Sequence, residues 1–216
     1  IRKSLKASEI FAIAAAELGS VLDVGRCIIY RCTDSDPDAT IHHEYRQPHL
    51  NSLEGATWPL TGNPLYQWVK QHRSSLVIDD INTPAANTPT AAADLDLSTM
   101  STRLRRWQIS GCLLVPLIHQ NRLRGMIELH LSSSAAHRWS EDEIQLAEAI
   151  ANQLSVALIQ AEAYAHLEDF NQQLADLERT RSNLIAITGH ELRTPLSTIR
   201  VCLESLLTEQ IGRAHV

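Results

Sequence analysis

Between Ser140 and residue 210 the chain contains one glycine, Gly189, and one proline, Pro195, and no other residue that ends a helix. A stretch of that length without breakers has one regular structure open to it, an extended helix. Its start is marked by Ser140 with Glu143 three residues on, the reciprocal capping pair of a helix N-terminus. Along it Ile150, Leu154, Ala157, Ala161 and Tyr164 recur at alternating steps of four and three. Leu167, Phe170, Leu174, Leu177, Arg181 and Leu184 do the same. This is the seam of a two-stranded coiled coil. From Ala161 to Phe170 three steps of three follow one another, a stammer that overwinds the seam. Ile144 and Leu146 are expected to pack on the chain's own domain. Over 165–185 nothing compact remains in the chain to cover the stripe. A second copy is expected, giving a parallel homodimer through residues 150–205.

The 216 residues are enough for one domain of ordinary size before that helix. Hydrophobic residues make up 44% and charged residues 20%, a globular balance. The net charge of -6 removes the electrostatic case for nucleic acid, which requires a basic face. No apolar run approaches the roughly 20 residues of a membrane span, and the start does not read as a signal peptide. Cys27, Cys32, Cys112 and Cys202 fall at no zinc-like spacing and suit a reducing, cytoplasmic setting. The chain begins at Ile1 and ends in IGRAHV. Residues 211–216 are read as a non-native tail and set aside.

Ahead of Ser140 the pattern alternates between periods. Residues 4–20 read as an amphipathic helix through Leu5, Ile10, Ile13 and Leu18. CIIYRC at 27–32 reads as a buried strand. DSDPD at 34–38 is a turn, and TIHHEYR at 40–46 returns as the second strand of a hairpin. NPLYQWVKQH at 63–72 is a short helix with Leu65, Trp68 and Val69 on one face, and SLVIDDI at 75–81 a strand. Residues 82–94 carry two prolines and few bulky apolar groups, a loop or flap. STRLRRWQI is a short basic helix. CLLVPLI at 112–118 and LRGMIELHL at 123–131 flank a polar turn at His119 to Arg122.

This order, with LDVGRCIIYR, VIDDI, SGCLLVPLIHQNRLRGMIELH and HRWSEDEIQLAEAIANQLSVALIQAEAY as its pieces, resembles a GAF domain of the phytochrome and cyanobacteriochrome group. The resemblance covers 4–164. It implies an α+β fold, an antiparallel sheet with flanking helices and a ligand pocket, followed by the long coiled-coil helix. A PAS domain is the alternative, against which the helix-first start and the VPL hairpin weigh. Bilin-binding members carry a Cys-His pair about ten residues before the VPL strand. Here those positions hold Thr99 and Met100, so a covalent bilin is not expected. A non-covalent tetrapyrrole stays open, as does another small molecule in the pocket.

GHELRTPL, residues 189–196, resembles the phosphoacceptor box of sensor histidine kinases, on the first helix of their dimerisation and phosphotransfer domain. Imidazole is nucleophilic near neutral pH, and an adjacent carboxylate can orient one ring nitrogen and take a proton. The resemblance implies that His190 is the phosphoacceptor and Glu191 the general base. It implies that Thr194 positions water in the reverse, phosphatase reaction, and that Pro195 kinks the helix. Gly189 stands where that family usually has Ser. The domains expected are therefore 4–164 as sensor and 165–210 as signalling helix and phosphoacceptor helix. The function implied is autophosphorylation on His190 and transfer to the receiver domain of a response regulator. The ATP-binding domain, which would bring ATP and magnesium, has no counterpart in these residues. The alternative is a non-catalytic ligand-binding or dimerisation module.

No metal is expected. Cys27 and Cys32 read as core fillers, and His42 and His43, adjacent on one strand, point to opposite faces. Trp58, Trp68, Trp107 and Trp139 read as core or flap packing. Of Asp79 and Asp80, one is expected to cap a turn and the other to face the pocket.

Overall fold

The computed structural model describes residues 2–81, 95, 98–132 and 138–213. It divides into two compact units, Ile1–Tyr164 and Ala165–Val216. In the first, a five-stranded antiparallel sheet runs β3 (His43–Arg46), β1 (Arg26–Arg31), β7 (Arg122–Leu131), β6 (Gly111–His119), β5 (Leu76–Ile78). The helices are α1 (Arg2–Val21), α2 (Pro64–His72), α3 (Ser98–Arg106) and α4 (Glu141–Arg213). A second, two-stranded sheet pairs β2 (Asp38–Thr40) with β4 (Thr57–Pro59).

Strand side chains alternate faces, and here both faces are buried, which is why the strands read as continuous apolar runs. Cys27 and Ile29 of β1, Leu113 and Val115 of β6, and Ile127 and Leu129 of β7 join one core. Ile28 and Tyr30, Cys112 and Leu114, and Met126 join the other. The first core is closed by α1 through Phe11, Ala15, Leu18 and Leu22 and by α4 through Ala147, Ala151, Leu154 and Leu158. Both helices use the same spacing of four, three and four, the inward stripe of a 3.6-residue helix. The second core is covered by α2, α3 and the small sheet, with Leu65, Tyr66, Val69, Met100, Leu104 and Trp58 inside it.

Three expectations change. TIHHEYR is not one strand: Thr40 ends β2 in the small sheet, and only His43–Arg46 pairs with β1. His42 therefore lies outside any strand, and the opposite-face argument for the two histidines does not apply. On α1, Ile10 and Ile13 face outward, and Phe11, Ala15 and Leu22 form the stripe with Leu18. On the same helix a Cβ at Gly19 would stand 2.0 Å from the Tyr45 ring, so α1 packs close to β3 there. The side chain of Leu5 and the flap at 82–94 lie outside the described residues. On α4, Leu154 belongs to the domain's own core and not to an open seam.

Other local readings agree with the chain. The β6–β7 turn is two residues, Gln120 and Asn121, with φ of 48° and 61°, the mirror-image turn that suits strand twist. Ser140 and Glu143 cap α4 reciprocally: Ser140 N donates to Glu143 Oε2 at 2.7 Å, and Glu143 N to Ser140 Oγ at 3.3 Å. Gly125 lies where a Cβ would stand 2.5 Å from the Tyr30 carbonyl, so β1 and β7 approach closely there. No described helix is long and apolar enough to cross a membrane.

Candidate functional site: a buried polar cluster and the helix that carries His190

The second core carries charge. Glu128 of β7 shares a sheet face with Ile28 and Leu114, its register partners. Its carboxylate is 2% exposed and is met by three donors. Tyr30 Oη donates at 2.5 Å and Trp58 Nε1 at 3.1 Å to Oε1, and His130 Nε2 lies 3.1 Å from Oε2. Trp58 is stacked between Trp107, ring centroids 4.5 Å apart, and His130, 5.9 Å apart. Burial and the neighbouring carboxylate push the Tyr30 hydroxyl well above its ordinary value, so it stays a donor. Burial likewise raises the Cys32 thiol to about 12 and moves Cys27 and Cys112 upward. All three are free and buried, as inert fillers on the two faces of the sheet. The sequence reading missed this cluster. Its signal is two polar residues, Glu128 and His130, at a spacing of two inside an apolar strand, which places both on one face.

The other expected residues fall as follows. Met100 is a buried core residue on α3. Trp58 and Trp139 are buried, and Trp68 and Trp107 pack at the core's edge. Asp79 Oδ1 accepts from Trp139 N at 3.1 Å, joining the end of β5 to the approach of α4. Glu162, on the last turn of the first unit, takes Arg31 from β1 and Arg124 from β7. The sheet's central hairpin strand and its neighbour are thus tied to the helix that leaves the unit.

In the second unit His190, Glu191 and Thr194 are exposed on α4. Thr194 Oγ1 donates to the His190 carbonyl at 3.4 Å, the back-bond of a helical threonine. Pro195 lies inside the helix, which continues to Arg213. Having no N–H, the proline leaves the Glu191 carbonyl without its helical donor. The ladder is interrupted one turn after His190 while the helix runs on.

Two apolar series share this unit, and both are exposed. Leu167, Phe170, Leu174, Leu177 and Leu184 make the first. Ile185, Leu192, Leu196, Ile199 and Leu203 make the second, with Gly189 at the intervening position. Carried forward, the first frame reaches Thr188, Glu191 and Pro195. Carried back, the second reaches Ser182, Glu178 and Asn171. The frames are offset by one residue, about 100° around a helix. The change falls at Leu184–Ile185, just ahead of His190.

A GAF domain family model matches residues 7–158. The chain belongs to the GAF domain family. Over almost its whole length, 98%, it is also similar to the circadian input-output histidine kinase CikA of Thermosynechococcus vestitus, at 27% identity, and to that of Synechococcus elongatus, at 26%. The chain spans 31% of the length of each of these relatives. The fold of this GAF domain is shared with the blue-light-absorbing form of the Thermosynechococcus elongatus PixJ GAF domain. That likeness has a TM-score of 0.62 and 21% identity, over 81% of this chain and 95% of that one. It is shared too with the phycoerythrobilin-bound GAF domain of a cyanobacterial phytochrome, at TM-score 0.62 and 24% identity, over 76% and 91%. These likenesses carry the fold alone. The chain holds a GAF sensory domain similar to that of histidine kinases, with α4 running on from it.

Proposed function

We propose that this chain is the sensory and phosphoacceptor portion of a two-component sensor histidine kinase. The state of the GAF domain sets the rate of phosphorylation on His190, and the phosphoryl group then passes to the receiver domain of a response regulator. The observation that carries the reading is the exposed His190–Glu191 pair on one helix, in a chain aligned over 98% of its length with proteins named histidine kinases. An imidazole nitrogen of His190 attacks the γ-phosphorus of ATP, the bond to the ADP oxygen breaks, and Glu191 takes the imidazole proton. ATP and magnesium would be brought by a domain outside this chain. Phosphoryl transfer is mostly positioning and electrostatics, so these residues need only present, orient and deprotonate the imidazole. ATP as donor puts the reaction in the cytoplasm. A parallel homodimer through the exposed series of α4 brings the helices together.

On the sensor side the proposal is a small ligand or none, without a thioether-linked bilin. Solved neighbours of this fold hold bilins, and a tetrapyrrole held without a covalent bond is compatible with the fold. The rival reading is a non-catalytic ligand-binding or dimerisation module that no longer uses His190.

The test supplies the ATP-binding domain in trans with the second bundle helix restored. His190 is expected to gain an acid-labile, base-stable phosphoryl group, and His190→Gln to lose it. Glu191→Ala should slow labelling by roughly 10² to 10⁴, the worth of a positioned general base. Thr194→Ala should spare labelling and slow dephosphorylation. Label that persists in His190→Gln, or full-rate labelling in Glu191→Ala, overturns the reading. An unlabelled wild type supports the rival.

A further inference from the structure

A second polar feature lies beside the buried cluster and belongs neither to it nor to the helix that carries His190. Arg26 opens β1 and is 1% exposed. Its guanidinium donates through Nε to Glu44 at 2.8 Å, through Nη2 to the Asn51 carbonyl at 2.7 Å and through Nη1 to the Trp107 carbonyl at 3.3 Å. A guanidinium has five N–H groups. Three are engaged, and Arg26 forms part of the wall of a cleft of about 270 Å³ between the 51–53 segment and the end of α3. Arg106, Ser52 and Gln108 line the same cleft.

The charges there are unequal. Glu44, whose side chain is 2% exposed, is already saturated. It accepts from Arg26, from Ser52 Oγ at 2.6 Å and from Leu53 N at 3.0 Å, and Arg46 Nε stands 3.8 Å away. Arg106 on α3 has no acidic partner among the described residues. Two guanidinium groups, Arg26 and Arg106, thus line a cleft whose lining holds no carboxylate, in a chain whose net charge is -6. The carbonyl end of α3 would repel an anion if left open. It is closed: Trp107 O by Arg26, Arg105 O by Gln108 N, Leu104 O by Ile109 N and Arg103 O by Trp107 N. Burial draws the Arg26 guanidinium down from its ordinary value, with Glu44 opposing, and an anion in the cleft would act as Glu44 does, favouring the charged form.

We propose that this cleft is a binding site for a small oxyanion, a carboxylate or phosphate group, held by the free N–H groups of Arg26 and by Arg106, with Ser52 and Gln108 completing the contacts. Guanidinium forks match both oxyanions in geometry. The cleft's size admits the anionic group and a few further atoms and excludes a drug-sized ligand. The site is independent of the His190 reading, because every residue in it belongs to the GAF domain.

The test titrates the full chain with sodium phosphate and, separately, sodium succinate, against sodium chloride at equal ionic strength. The readouts are the intrinsic tryptophan fluorescence, to which Trp107 in the cleft wall contributes, and the amide and guanidinium N–H shifts of Arg26. A saturable, one-to-one response to either oxyanion and none to chloride is expected, and which one responds identifies the group. Arg106→Glu, at an exposed position, should weaken binding at least tenfold. Arg193→Glu, in the second unit, should leave it unchanged. If both oxyanions behave as chloride does, or if Arg106→Glu binds as the wild type does, the proposal is overturned.

Discussion

Trp58 donates its indole N–H to the Glu128 carboxylate at 3.1 Å, across 70 residues of sequence, with both side chains out of solvent. The bond ties the small sheet to the middle of the large one. Tyr30 and His130 complete the ring of donors. Glu128→Ala would leave these donors buried without an acceptor, each at about 1–3 kcal/mol. The expected loss of stability is about 3–9 kcal/mol by urea denaturation. Glu128→Gln keeps one acceptor oxygen and should lose clearly less. A Glu128→Ala protein as stable as wild type would falsify this account of the cluster.

Acid should weaken the first unit through His43. Burial lowers its pKa from 6.5, and the neighbouring His42 lowers it further, with Glu54 opposing. The folded chain therefore holds fewer protons on this group than the unfolded chain between the two values. Its stabilising effect is complete above the unfolded pKa and declines as pH falls through the folded one. Thermal melts between about pH 7.5 and 5.5 should show a falling midpoint. His43→Gln should flatten part of that fall, and an unchanged slope would remove His43 as its source.

Leu174 and Leu177 are exposed in a single chain and are expected to be buried in the dimer. Replacing both by Ala should weaken association by several kcal/mol, at about 2–5 kcal/mol for each buried leucine. Sedimentation or light scattering reads this directly, and a monomeric wild type at tens of micromolar would defeat it. Deleting Ala186 brings the two apolar frames into one register, so the deletion variant should dimerise more tightly than the wild type.

Co-expression with a bilin pathway should leave the chain without zinc-dependent fluorescence on a denaturing gel. The reason is chemical. Thioether attachment needs a reactive thiol in the pocket, and the positions where the resemblance puts the Cys-His pair hold Thr99 and the buried Met100. The buried thiols are held protonated and unreactive. A fluorescent band on the intact chain is the contrary result.

The long helix, its capping pair and the β6–β7 turn were legible in the sequence, because each depends on residues a few positions apart. Ser140 reads Glu143 within one turn, and Gln120–Asn121 can take a left-handed pair whatever surrounds them. The strands were legible as apolar runs for the same local reason. The fate of TIHHEYR was not, since only pairing decides that Thr40 joins β4 while His43 joins β1. The inward face of α1 was also out of reach. Ile10 and Ile13 satisfy the helical period as well as Phe11 and Ala15 do, and the sheet's position chooses between them. In the sequence Glu128 and His130 are two polar residues at a spacing of two in an apolar strand, which places them on one face and names no partner. The Glu128 partners Tyr30 and Trp58 are 98 and 70 residues away, and only the folded sheet brings those donors to one carboxylate. Periodicity and turn chemistry are local and are written in the chain. Which face is buried, and which distant donors a buried charge meets, follow from packing, and packing exists only once the elements have assembled.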